Sequence, residues 1–459
     1  QRGRASLLDT VDLVFVPIFN VDGHERTSPF NRPNQRGPRS QGWRTTARNI
    51  NLNRAYLKAD SPEMQAMIGL IRRVDPVLFF DIHVTDGVDY QYDITYGFQG
   101  REGRYAQSPA IGRWLDTVLR PNMDRALSRA GHIPSGLIFA MDDRDPAAGI
   151  VDFAAQPRLS HAYGDFARVP TVLVENHSLK PYRQRVLGTY VLIEEALRLA
   201  GANEASLRQA IAADRASRPN EVILAWRPSE QAVPAIPWRG IAHETYQSPI
   251  SGRQEVRWLG RPQSSTMRVL VQEPSLTVAL PRAWWVPASR PEVIERLRLH
   301  GVQFETLSAP RTVTLEMARL VNPQLQAASE GHVPMRVAGT RREQRAETFS
   351  AGSVRVPADQ PLALVAAALL EPESPDSLLA WGFFPDLLQR TEYIEGYAVE
   401  PMAQRMLAAD PALASAFQAA LAGDPELASD ADRRLQWFYE RSAYYDDRYL
   451  LYPVGRELN

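Results

Sequence analysis

Three short apolar runs of the chain end in polar residues that a packed core does not need. These ends are Asn20-Val21-Asp22-Gly23 after 11–18, Asp81-Ile82-His83 at the end of 77–82, and Glu175-Asn176-His177 at the end of 170–175. A carboxylate at a buried strand end is costly unless it is paired, bound to metal or used as a base. Each end alone has a simpler explanation, a common Asp-Gly turn or a hydrogen-bonded structural His. Together they predict a functional site.

A fourth polar segment, residues 47–56 (ARNINLNRAY), concentrates planar hydrogen-bond donors between two of these runs. Arg54 can hold a carboxylate with two parallel hydrogen bonds, and Asn53 adds a neutral donor. The segment therefore predicts a site for an anion. The alternative is an Asn-rich turn that carries a solvated Arg.

The strands that would position these residues follow from local composition. The runs 11–18 (VDLVFVPI), 77–82 (VLFFDI) and 170–175 (PTVLVE) have the pattern of strands buried on both faces. Helices are predicted between and after them, so the fold class is α/β, with a mixed, mostly parallel sheet flanked by helices. Ligand sites in such sheets lie beyond the carboxyl ends of the strands, where these polar residues fall.

Two helices of this region have recognisable ends. Ser61 and Pro62 form a cap and a first-turn Pro, and apolar residues then recur at helical spacing until Asp75-Pro76. A second helix is predicted over about 183–200, ending at Gly201.

Changes in composition divide the chain into three predicted regions. Residues 1–210 form the α/β domain, about 220–345 form a β-rich module, and 346–459 form a mixed segment ending in helices. Within the module, Pro291 to Gly301 is predicted to be one capped helix. Asp-Pro dipeptides mark the expected helix starts near the end of the chain.

Composition excludes several classes of function. Lys plus Arg number 52 and Asp plus Glu number 53, so no overall charge favours nucleic acid or an anionic membrane. No stretch approaches the 18 or so apolar residues of a membrane helix. The chain contains no Cys, so a metal ion would need His and carboxylate ligands.

The ordered set of motifs resembles the zinc carboxypeptidases related to carboxypeptidase A. The set runs from Asn-x-Asp-Gly through Arg36 and Asn53-Arg54 to strands that end in Ile-His and in Glu, and it spans residues 11 to about 200. The rest of the chain resembles the C-terminal extension of a bacterial subgroup. The resemblance implies a secreted or periplasmic hydrolase with a carboxypeptidase-like fold and a Zn²⁺ cofactor.

Residue roles follow from this resemblance, position by position. It implies that His83 is a zinc ligand and that Asn53 and Arg54 bind the terminal carboxylate of a peptide. It implies that Arg36 stabilises the oxyanion and that Glu175 is the general base.

Two further residues receive assignments from the same resemblance. Arg32 is assigned to assist Arg36. The substrate-capping Tyr of the family has no clear counterpart, and Tyr163 is a candidate for that role.

The family pattern is incomplete in one respect. It takes two zinc ligands from a His-x-x-Glu motif before Asn-x-Asp-Gly, and no His-x-x-Glu occurs in this chain. We therefore expect that an N-terminal segment of the same protein is missing here and that this chain alone is inactive. His24, His161 or His177 are alternative ligands, although each fits a structural role better.

The expected function is hydrolysis of the C-terminal residue of a peptide by zinc-activated water. The expected partner is a peptide with a free C-terminal carboxylate. Two alternatives remain: a metal-free relative that binds peptides or cell-wall fragments without catalysis, and an amidase or deacylase acting on N-acyl amino acids.

Overall fold

The computed structural model describes residues 4–231 and 233–458. Residues 1–3, 232 and 459 lie outside the described part, and they include the first and last residues of the predicted regions. The strands of the first region are β1 (Phe79–Val84), β2 (Ile94–Gly97), β3 (Pro134–Gly136), β4 (Phe139–Ala140), β5 (Ile150–Val151) and β6 (Thr171–Asn176). Its helices are α1 (Val21–Glu25), α2 (Pro62–Val74), α3 (Pro109–Trp114), α4 (Arg120–Arg129), α5 (Ser160–Ala167), α6 (Tyr182–Ala202) and α7 (Glu204–Ala216).

The main sheet of this region has the order β1-β6-β2-β3. β1 pairs in parallel with β6, and β2 pairs in parallel with β3, whereas β2 and β6 are antiparallel. Two helix pairs pack beside the sheet: α3 packs against α7, and α4 packs against α6. The sheet is mixed and mostly parallel, as predicted.

Helix α2 begins and ends as its sequence predicts. The Ser61 hydroxyl accepts a hydrogen bond from the Met64 amide at 3.2 Å, and Pro62 occupies the first turn. Asp75 ends the helix in the left-handed conformation, with φ of 48°. Met64 and Ile68 on its apolar face are fully buried.

The prediction of a buried strand over 11–18 was wrong. The structure assigns no strand to this run, and Leu13, Val14 and Phe15 are 49%, 51% and 65% exposed. A β conformation is stabilised by hydrogen bonds to a neighbouring strand, and within the described residues none pairs with this run. The apolar composition of this run was therefore not sufficient to form a strand.

The second region contains β7 (Glu221–Pro228), β8 (Ile236–Gln247), β9 (Gln254–Met267), β10 (Val269–Leu270), β11 (Gln272–Ala279), β12 (Ala283–Val286), α8 (Pro291–His300), β13 (Glu305–Thr306), β14 (Arg311–Val321), β15 (Gln324–Leu325), β16 (Met335–Arg336) and β17 (Gly339–Phe349). The remainder contains β18 (Val354–Pro357), α9 (Ala363–Leu370), α10 (Gly396–Ala409), α11 (Pro411–Gly423), α12 (Pro425–Ser429), α13 (Ala431–Tyr439) and β19 (Leu451–Glu457). The α/β class with an added β-rich module is thereby confirmed.

A six-stranded antiparallel sheet, in the order β13-β18-β12-β19-β14-β17, joins the second region to the end of the chain. The largest hydrophobic cluster draws on all three predicted regions, with Tyr56 and Ile68 from the first, Trp284 from the second and Leu364 and Phe384 from the third. Within the described residues, no helix has the length and hydropathy that a bilayer crossing requires.

Candidate active site

The structure brings His83 and Glu175 together at one edge of the main sheet. They are register partners on the parallel strands β1 and β6, so their side chains project from the same face. His83 Nδ1 lies 4.0 Å from Glu175 Oε1. Both residues are close to the carboxyl ends of their strands, where α/β sheets bind ligands.

Asp81 orients the His83 imidazole from the same strand. Its Oδ2 lies 2.9 Å from His83 Nε2, and the two residues share a face because they are two positions apart. Burial by itself would lower the pKa of His83, but the Asp81 carboxylate, with Glu175 acting in the same direction, raises that pKa to about 9. Burial would likewise raise the pKa of Asp81, which the His83 charge holds below its usual value. His83 is therefore held in one orientation, with Nδ1 toward Glu175.

Glu175 is a carboxylate with a neutral-range pKa. Burial raises the pKa of Glu175 to about 7, and the neighbouring charge of His83 opposes this rise. Its Oε2 is buried and has no hydrogen-bond partner among the described residues. A carboxylate that gains and loses a proton near pH 7 is suited to general base and acid chemistry.

Arg54 lies on a loop that is fixed by its own Asn residues. The Asn51 side chain accepts a hydrogen bond from the Asn53 amide at 3.1 Å and caps the short 3-10 turn Leu52–Arg54. Burial, followed by the charge of Arg44, lowers the pKa of Arg54, and the Arg54 charge in turn acts to lower the pKa of His83. The guanidinium donates to the Asn53 carbonyl at 2.9 Å, and no ion pair forms between it and a carboxylate within the described chain.

Arg32 and Asn53 also lie near this centre. Burial and the charge of Arg44 lower the pKa of Arg32, and the Glu175 carboxylate opposes that shift, which places Arg32 within electrostatic reach of Glu175. Asn53 Oδ1 is buried without a partner in the described structure.

Arg36 and Tyr163 are placed differently. The Arg36 side chain is exposed, and its backbone amide donates to the Ser178 carbonyl at 2.9 Å, so the residue is anchored beside the strand that carries Glu175. Tyr163 is 4% exposed, and its hydroxyl lies 2.9 Å from His300 Nδ1 in the core. The structure does not bring the Tyr163 hydroxyl to the cleft.

Arg44 is a site residue that the sequence reasoning missed. Its charge opposes the rise in the pKa of Glu175. The Asn-x-Asp-Gly motif holds its loop: Asn20 Nδ2 donates to the Arg44 carbonyl at 3.2 Å, and Asp22 accepts from the Ala47 amide at 2.8 Å. A Cβ on Gly23 would lie 2.4 Å from the Trp43 carbonyl oxygen, so only Gly fits there. The motif therefore positions an Arg-bearing loop.

The donor set does not fit a complete zinc site. His83 Nδ1 with Asp81 behind it has the arrangement of a single oriented ligand. Within residues 4–231 and 233–458, no group of three or more His, Asp or Glu side chains is arranged to hold a metal ion. Of the alternative ligands, His177 lies 2.9 Å from Asp89, and His161 is fully buried with its pKa lowered to about 4 by burial. His24 is exposed on α1.

Comparison with known proteins gives one partial likeness. Carboxypeptidase 2 of Trichophyton rubrum is 29% identical to the chain over 113 residues, which are 25% of this chain and 21% of that protein. The chain thus spans about a fifth of the length of the curated relative that it matches. No protein-family model matches the chain. No solved structure matches it. The likeness supports a carboxypeptidase-like relation over these 113 residues and no more.

Proposed function

We propose that the protein is a carboxypeptidase-type hydrolase that removes the C-terminal residue of a peptide. The observation that carries the proposal is a partly buried guanidinium, Arg54, without an ion-pair partner in the described chain and within electrostatic reach of the His83–Glu175 pair. A desolvated cation of this kind attracts an anion, and a free C-terminal carboxylate is the anion that distinguishes a peptide end from an internal bond.

In this proposal the residues of the site act on the two sides of the scissile bond. Arg54 and Asn53 hold the terminal carboxylate. Glu175 accepts a proton from the water that attacks the scissile carbonyl and delivers it to the leaving amine. Arg36 is assigned to the oxyanion, and Arg32 assists it.

Zinc enters the proposal only through His83. When bound, the ion would activate the attacking water and polarise the carbonyl. His83 is proposed as one ligand. No step is assigned to the metal, because the described residues do not complete its site.

Binding of matched ligands tests carboxylate recognition. An N-acetylated dipeptide with a free C-terminal carboxylate should bind about tenfold or more tightly than its C-terminal amide, measured by calorimetry on the full chain. Arg54→Ala should remove this difference. Arg48→Ala, an exposed Arg of the same loop, is the control and should preserve it. Equal affinities for acid and amide in the unmodified protein would refute the proposal.

The second candidate is a binding protein without catalysis, and the incomplete ligand set around His83 favours it. It predicts the same carboxylate preference but no release of the C-terminal amino acid, with or without added zinc. An amidase acting on N-acyl amino acids would instead cleave small acyl substrates and leave peptides intact.

A further inference from the structure

A pocket of about 200 Å³ opens beside Arg54, and most of its lining comes from a distant part of the chain. Arg54 and Arg158 belong to the α/β region, whereas the other lining residues lie between 329 and 381. Among these are Glu330 and Trp381. A segment outside residues 11–200, which carry the family motifs, therefore forms part of the wall beside the proposed carboxylate site.

Most charged groups around the pocket are already paired. Arg158 Nε lies 2.6 Å from Asp376, whose other oxygen accepts a hydrogen bond from the Arg158 backbone amide at 2.8 Å. Lys58, whose Nζ lies 5.0 Å from the Trp381 ring, forms an ion pair with Asp60 at 2.8 Å. Within each pair the two charges neutralise each other, so neither pair needs a ligand.

Glu330 and Arg54 are the two charged lining groups that the described residues leave without an ion pair. The Asn51 amide donates to Glu330 Oε2 at 2.7 Å, so Glu330 is oriented by the same loop that carries Arg54. Glu330 Oε1 makes no hydrogen bond within the described structure. The turn that carries Glu330 is closed by paired backbone hydrogen bonds of 2.8 and 3.0 Å between Ser329 and His332.

The separation of these two charges defines the ligand that they complement. Arg54 and Glu330 influence each other electrostatically but lie beyond ion-pair distance in the described chain, so a ligand can address each one separately. Once a substrate carboxylate neutralises Arg54, Glu330 loses the cation that offsets its charge. The next favourable group in the pocket is then a second cation, supplied by the ligand.

The remaining lining residues suit an aliphatic stem. Pro334, Pro375 and Ala380 present apolar surface beside these polar groups. Long basic side chains bury their methylene groups along apolar surface and place the charge at the end. A volume of about 200 Å³ is below that of drug-sized sites and suits one amino-acid side chain.

We propose that Glu330 selects substrates whose C-terminal residue carries a basic side chain, such as Lys or Arg. This inference rests on the proposed carboxypeptidase function, since it takes the substrate carboxylate to be bound at Arg54. It gives residues 329–381 a role in specificity: this segment places a carboxylate at the far end of the terminal side chain. Glu330 is a specificity-determining residue and takes no part in the bond cleavage.

Binding of three N-acetylated dipeptides, ending in Lys, norleucine or Glu, tests the proposal on the full chain. Norleucine matches the Lys stem but lacks its charge. The Lys peptide should bind about tenfold more tightly than the norleucine peptide, and the Glu peptide should bind least tightly. Glu330→Gln keeps the shape and an acceptor for the Asn51 amide, and it should reduce the Lys preference to about twofold or less while leaving norleucine binding unchanged.

Two controls separate the possible failures. Glu392→Gln removes the same net charge from an exposed position and should preserve the Lys preference. No Lys preference in the unmodified protein, a preference for Glu, or an unchanged preference in Glu330→Gln would each overturn the role of Glu330. If the free-acid peptides bind no better than their C-terminal amides, the proposed carboxypeptidase function fails as well; if they do bind better, only the specificity inference fails.

Discussion

Different causes raise the pKa values of Glu175 and His83: burial raises that of Glu175, whereas neighbouring carboxylates raise that of His83 against the effect of burial. The pKa of Glu175 rises to about 7, so its carboxylate can take up a proton near neutral pH. The pKa of His83 rises to about 9 because the Asp81 and Glu175 carboxylates together outweigh the effect of burial, so the imidazole favours its protonated form at pH 7. Any metal that binds His83 must displace that proton.

The proposed role of Glu175 gives a direct prediction. Glu175→Gln should lower kcat by about 100-fold or more, because an amide cannot accept the proton of the attacking water. The dissociation constant of a free-acid peptide should change by less than about threefold, since Arg54 binds the carboxylate. Steady-state kinetics of amino-acid release and calorimetry measure the two effects. Glu25→Gln, an exposed carboxylate on α1, serves as the control.

That prediction applies to preparations in which the unmodified protein releases amino acids. A kcat for Glu175→Gln within a few-fold of the unmodified value would remove Glu175 from the role of base. A large loss of peptide affinity in the same variant would instead assign Glu175 to substrate binding.

Some site residues could be predicted from sequence because their signals are local. His83 and Glu175 each end an apolar run, and parallel strands bring such ends to one edge. Glu330 and Trp381 carry no such signal, because they lie beside Arg54 only through contacts between parts of the chain that are far apart in sequence. Tyr163 was a candidate through the family resemblance only, and the sequence does not report the hydrogen bond to His300 that holds its hydroxyl in the core.

At the scale of elements, helices that carry their own start and stop signals were predictable. Helices α2 and α8 have Pro in the first turn, and α11 and α12 are capped by Asp410 and Asp424, whose carboxylates accept backbone amide hydrogen bonds. The run 11–18 has the composition of a buried strand but lacks a pairing partner among the described residues. Strand formation depends on a neighbour, which the local sequence does not report.

Two glycines in helical contexts should respond oppositely to the same substitution. Gly301 ends α8 with φ of +82°, and an added Cβ would lie 2.6 Å from Arg72 Nε. Gly301→Ala should therefore lower the free energy of unfolding by about 1–2 kcal/mol. Gly69 lies inside α2 with no atom within 4 Å of an added Cβ. Gly69→Ala should raise the free energy of unfolding by about 0.5–1 kcal/mol.

Denaturant unfolding of both variants and the unmodified protein at one pH measures these two changes in the free energy of unfolding. The opposite signs make the comparison independent of small systematic errors in extrapolation. A stabilising effect of Gly301→Ala would mean that the end of α8 rearranges without strain.

At the scale of the whole molecule, the α/β region and the later regions share one core. His300, at the end of α8, lies 2.7 Å from the Leu57 carbonyl and 2.9 Å from the Tyr163 hydroxyl. Arg296 of the same helix donates to the Lys58 carbonyl at 2.8 Å. The residues that directly follow the Arg54 loop are therefore fixed by α8, so the geometry of the proposed carboxylate site depends on the fold of the second region.

This dependence predicts that acid loosens the contact between the regions. Burial lowers the pKa of His300 to about 4 from 6.5, so the folded state holds the neutral imidazole, whereas the unfolded state binds a proton below about pH 6.5. The stabilisation is complete above that pH and is lost as pH falls toward 4. The full loss is on the order of 3 kcal/mol. His161, whose pKa is also lowered by burial to about 4, acts in the same direction.

The free energy of unfolding, measured by denaturant titration between pH 7 and pH 4.5, tests the role of His300. His300→Gln should be less stable at pH 7, because its fit to Leu57 and Tyr163 is imperfect, but its stability should fall less steeply as the pH is lowered. The exposed His24→Gln should keep the slope of the unmodified protein. If His300→Gln and the unmodified protein lose stability in parallel over this range, protonation of His300 does not drive the acid transition, and His161 becomes the group to substitute next.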